Sequence, residues 1–77
     1  MNADRLDYLI TQIKSGNASK EERDEYISWL HKEKKIREED YNYYQKGIDT
    51  DKIMKYGLLA GLGTLAIMLI AALVAKK

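Results

Sequence analysis

The sequence contains no cysteine, no proline, no phenylalanine and only one histidine. Without cysteine there is no disulfide framework, no thiolate nucleophile and no cysteine-based zinc site. His31 has no further histidine or cysteine to share a zinc site with, and the carboxylates around it have the pattern of a solvated helix face. It is read instead as a structural or surface residue, so no metal ligand is assigned. The lack of proline suits a chain that is mostly helix. There is no serine–histidine–acid pattern, no Gly-rich phosphate loop and no pair of carboxylates in an apolar setting. The chain is therefore expected to be no enzyme, with no catalytic residue, no cofactor and no cofactor-binding residue. The opening Met1-Asn2-Ala3-Asp4-Arg5-Leu6-Asp7 has no apolar core behind a basic start, so it is not a secretory signal.

Charge is confined to one part of the chain. Residues 1–55 carry eleven Lys/Arg and twelve Asp/Glu, a net charge of −1, and from Tyr56 to Ala75 no residue is charged. A near-neutral region has no electrostatic pull on nucleic acid, so no nucleic-acid partner is expected. Fifty polar-rich residues without disulfides or metals are marginal as an independent domain, which makes contacts with a partner a natural source of stability.

The periodicity predicts an all-α chain: a short N-terminal helical hairpin followed by one transmembrane helix at the C-terminus. Leu6, Leu9, Ile10 and Ile13 recur at spacings of three and four, giving an amphipathic helix over about 3–15 that Gly16-Asn17 can terminate. Ser19 and Glu22 have the spacing of a capping box. Tyr26, Ile27, Trp29 and Leu30 form the next apolar stripe, and a thinner one through Ile36 and Tyr43 extends the second helix to about Lys46. Residues 1–46 then form the charged helical region, 47–51 a linker and cap, and 52–77 the anchor.

The span is placed at about 56–75. Twenty residues at ~1.5 Å each cover roughly 30 Å, the thickness of a bilayer's hydrocarbon core. Tyr56 fits an interfacial position, and Lys52, Lys55, Lys76 and Lys77 can reach the headgroups. Four Lys/Arg (Arg37, Lys46, Lys52, Lys55) precede the span closely and two follow it. That bias places the N-terminal region in the cytoplasm, or on the internal face of an enclosed membrane. Gly57 and Gly61 form a small-xxx-small pair, with Ala60 and Thr64 on a neighbouring face. Such pairs let membrane helices approach closely, so packing against another span or a homo-oligomer is expected there. Tyr41, Tyr43 and Tyr44, together with Tyr26, Trp29 and Leu30, are the candidate contacts for a protein partner.

The order from Ser15-Gly16-Asn17-Ala18-Ser19-Lys20-Glu21-Glu22-Arg23 to Trp29-Leu30 has a further significance. An apolar helix, a small-residue turn, a Ser/Glu cap and a Trp-Leu pair together resemble the cytoplasmic N-terminal segment of FecR-type anti-sigma regulators, over residues 3–30. The resemblance implies a helical unit that holds an extracytoplasmic-function sigma factor, with Leu6, Ile10, Ile13, Tyr26, Ile27, Trp29 and Leu30 forming the unit that meets it. In that family one membrane helix leads to a periplasmic sensor. Here the sequence ends at Lys77, so a signal is not expected to arrive in the family's way.

Three functions follow as expectations. The first is a small membrane-anchored structural or accessory subunit of a larger assembly, such as a membrane complex or a membrane-containing virion. The second is an anti-sigma-type regulator sequestering a soluble factor at the membrane. The third is a holin-like lysis protein, since short holins can carry one glycine- and alanine-rich span between charged ends. The partners implied are the lipid bilayer and a protein docking on the N-terminal helices.

Overall fold

A computed structural model describes the backbone of residues 1–75 and the side chains of residues 1–64. Four helices follow one another with no strand among the described residues: α1 (Ala3–Ser15), α2 (Lys20–Lys32), α3 (Glu38–Gln45) and α4 (Thr50–Ala75).

Local chemistry sets the first two helices. The Asn2 side chain accepts from the Arg5 N–H at 2.8 Å and starts α1. Gly16 ends it at φ 78°, a left-handed conformation that costs glycine little. Ser19 and Glu22 form the anticipated capping box. The Glu22 N–H donates to the serine Oγ at 3.1 Å, and the Ser19 N–H donates to the Glu22 carboxylate at 2.9 Å.

The expected helix over 19–46 is two helices. Lys34 turns left-handed at φ 58°, and the Lys35 N–H reaches back to the Leu30 carbonyl at 2.8 Å, closing the end of α2. A left-handed lysine costs roughly 1–2 kcal/mol. What offsets it is the return of the chain. Ile36, Tyr41 and Tyr44 come back onto the core, where the Tyr44 hydroxyl donates to Asp24 at 2.9 Å. Tyr41 stacks on His31 with ring centroids 3.8 Å apart, and His31 Nε2 lies 2.5 Å from the Glu38 carboxylate. A continuous helix would carry these groups away from α2. Apolar periodicity alone could not register that loss.

The core draws on three helices: Leu6, Leu9 and Ile10 from α1, Tyr26, Ile27, Trp29 and Leu30 from α2, and Ile53 and Met54 from α4. The hairpin does not close only on itself. Its apolar faces wrap the first turns of α4, and α1 packs most extensively there. Ile13 and Gly16 border the same depression as Asp51 and Met54, while Ala3, Leu58 and Ala60 flank the core. Helix α1 therefore runs antiparallel to α4, with its Met1 end pointing along the direction in which the apolar helix continues.

Candidate site where the apolar helix leaves the bundle

A close contact joins α2 to α4. Tyr26 is fully buried, and its hydroxyl donates to the Gly57 carbonyl at 2.5 Å. Side chains at Gly57 and Gly61 would occupy the space that makes this possible. A Cβ at Gly57 would stand 2.7 Å from Leu30 Cδ1 and 3.5 Å from the tyrosine ring. One at Gly61 would overlap the Tyr26 hydroxyl and stand 2.8 Å from its Cζ. The two glycines thus receive Tyr26 and Leu30 of their own chain. Ala60 is partly buried against the core, and Thr64 donates its hydroxyl to the Ala60 carbonyl at 3.2 Å, satisfying it within the helix. Gly63 faces open space.

Burial pushes the Tyr26 phenol well above its ordinary 10, with a smaller opposing contribution from the Gly61 backbone. Tyr44 is pushed up to about 12, first by burial and then by its hydrogen bond to Asp24. Both phenols hold their protons more tightly folded than unfolded. Stability tied to them is complete below pH 10 and falls as pH climbs from 10 through 12. The urea midpoint of the protein in mild detergent, followed by Trp29 fluorescence between pH 9 and 12, should therefore decline. Tyr26→Phe and Tyr44→Phe should each flatten the decline. A decline in both variants as steep as that of the unaltered protein would show that neither phenol is linked to folding.

The other residues singled out from sequence are dispersed. Trp29 is 8% exposed and stacks with Tyr26 at a centroid separation of 6.2 Å. Leu30 is wholly buried. Together with Leu6, Ile10 and Ile27 they belong to the interior, with Ile13 packed beside them. The residues that the anti-sigma resemblance assigns to partner contact are thus engaged with α4 in this fold. Tyr41 and Tyr44 are half-buried, and Tyr43 is exposed. Lys52, Lys55 and Tyr56 are exposed on α4, whereas Lys76 and Lys77 lie outside the described residues. His31 serves as a bridge from α2 to α3 through Glu38 and Tyr41. Periodicity gave no sign of this, although the seven-residue spacing of His31 and Glu38 across a charged loop was visible.

Across α1 and α2, Arg5 donates to Glu25 at 2.9 and 2.6 Å and lies 5.1 Å over the Tyr8 ring. The hydrogen bond from Arg5 holds the Glu25 carboxyl below its ordinary value. Open depressions of about 220, 240 and 190 Å³ mark the surface, the first bounded by Lys20, Arg23, Asp24 and Tyr44 and the third by both apolar and charged side chains. No group of three or more metal-ligating side chains occurs among the described residues.

Among the described residues no helix is long and apolar enough to cross a membrane. From residue 65 onward, the side chains of the expected span lie outside the described residues. Comparison of the chain with protein-family models, with curated proteins and with solved structures finds no match.

Proposed function

We propose that the chain is a single-pass membrane protein anchored by its C-terminal helix, acting as a small structural or accessory subunit of a larger membrane-associated assembly. One observation carries this reading. Helix α4 runs without a break from the core of the bundle into the uncharged sequence up to Ala75. A folded unit joined rigidly to an apolar helix suits a part that must hold a fixed position at a bilayer. Already at the exit from the bundle, Leu59 is 71% exposed and Leu62 37%, a costly arrangement in water. The interior residues of α1 and α2 are used within the chain. Docking on a protein partner is therefore assigned to the outer surface, where Tyr8, Tyr43 and Ile48 are exposed and aromatic side chains favour contact. The charge bias puts this unit on the cytoplasmic side.

The anchor is tested by alkaline carbonate extraction and vesicle flotation. The full chain should stay with the membrane. Leu69→Arg places a charge near the middle of the apolar run, costs about 3 kcal/mol of insertion energy, and should shift partitioning about 100-fold toward the aqueous fraction. Recovery of the unaltered chain in the supernatant would exclude the anchor. Purification from the native source in mild detergent then tests the assembly role. Stoichiometric membrane or coat proteins would support it. A single soluble transcription factor would replace it with the anti-sigma role.

A further inference from the structure

Where the bundle sits relative to the bilayer follows from the part of α4 it covers. Of the twenty uncharged residues from Tyr56 to Ala75, Gly57, Leu58, Ala60 and Gly61 are occupied by α1 and α2. Beyond Gly61 the uncharged sequence holds fourteen residues, Leu62–Ala75, or about 21 Å of helix, against a hydrocarbon core of about 30 Å. The closed bundle and a full-length span are incompatible unless something yields.

We propose that the exit end of the closed bundle is itself a lipid-contact surface, seated in the headgroup layer with Leu62 at the hydrocarbon boundary, so that α4 crosses as a short span. This inference rests on the membrane reading above. Two features of the structure bracket the depth. On the outer flank of α4, Leu59 and Tyr56 are 71% and 58% exposed, so standing clear of the lipid would leave them in water. On the other side, the antiparallel pairing of α1 with α4 sets Arg5 at about the level of Leu62. Its ion pair with Glu25, with side chains 44% and 40% exposed, cannot enter hydrocarbon but fits among headgroups. At this depth Lys55 and Lys52 lie about two and three turns above the boundary, on the side of the lipid headgroups.

The alternative is that α4 slides out of the bundle to gain its missing turns. That would bring Leu6, Leu9, Tyr26 and Leu30, all wholly buried, into water. Each such side chain is worth as much as several ångströms of bilayer mismatch. The bilayer therefore yields before the bundle does.

The test uses the full chain in vesicles of 14:1, 18:1 and 22:1 phosphatidylcholine. Absence of cysteine allows a single environment-sensitive dye at Leu59→Cys, Leu62→Cys or, as an aqueous control, Lys35→Cys. Trp29, the only tryptophan and buried between α2 and the rest of the core, reports closure through acrylamide quenching. The expected result is dye at 59 and 62 in a shallow lipid environment, dye at 35 in water, and Trp29 protected in 14:1 and 18:1 vesicles. Partitioning should favour 14:1 over 22:1 lipid by about tenfold. Trp29 becoming accessible in 18:1 vesicles would overturn the proposal in favour of an opened bundle. Dye at 59 in water on a chain that still floats would overturn it in favour of a bundle held clear of the lipid. Shielding of position 59 that vanishes when the chain is diluted into excess lipid would assign that flank to a second copy. A chain that does not float at all would defeat the membrane reading itself, a separate result.

Discussion

Gly61→Leu is expected to unseat α2 from α4 and destabilise the bundle by at least ~3 kcal/mol. Even the first added carbon would overlap the Tyr26 hydroxyl and press within 2.8 Å of its Cζ. The cost is the more telling because leucine should favour an exposed helix position over glycine by about 1 kcal/mol. A helix that becomes a better helix while the protein becomes less stable points to the seat. Denaturation followed by Trp29 fluorescence, in detergent, measures it directly. Gly57→Leu should behave in the same direction, since its Cβ meets Leu30 at 2.7 Å. The pair also separates two uses of the glycines. If they serve another membrane helix, assembly is lost while Trp29 stays protected. If they serve Tyr26, Trp29 becomes accessible in the isolated chain. Unchanged stability in both variants would remove the seat from the energetics of the fold.

Tyr26→Ala should be the most damaging truncation. The side chain is the largest of those wholly buried, and removing a core aromatic typically costs ~3–5 kcal/mol. A core in a chain this small rarely supplies more than ~3–5 kcal/mol in total, so the helical unit is expected to be largely unfolded at 25 °C. Loss of cooperative urea unfolding would report this, with helicity retained only where detergent holds α4. Tyr26→Phe keeps the ring and forfeits only the bond to the Gly57 carbonyl, an expected loss of about 1 kcal/mol. A near-equal effect of the two variants would mean that the hydrogen bond, rather than the ring, carries the contact. Because residues 26 and 61 share one interface, their effects should not add. Gly61→Ala, whose added Cβ meets the Tyr26 hydroxyl, should cost less in the folded Tyr26→Phe background than in the unaltered chain.

The charges add a milder layer. Arg5–Glu25 and Lys20–Asp24 are exposed pairs, each expected to contribute little in isolation. The acidic residues of the first turn of α2, Glu21 and Glu22, suit the positive end of its dipole, and Glu22 completes the cap with Ser19.

Much of the chain could be read in order along the sequence. The all-helical class, the bounds of α1 and the Ser19–Glu22 box all depend on signals within one or two turns: apolar spacing, a capping side chain, a glycine able to turn left-handed. Such signals are local, so one dimension contains them. The break at Lys34 was not legible, because its reason lies in contacts between residues seven to twenty positions apart: His31 with Glu38, and Tyr44 with Asp24. Nor was the use of Gly57 and Gly61. In sequence a pair of glycines in an apolar run has the same spacing whether it receives another membrane helix or a tyrosine thirty-one positions earlier. Only the tertiary structure decided between these for the described residues, because what fills the space beside a glycine depends on which helix the rest of the chain lays against it.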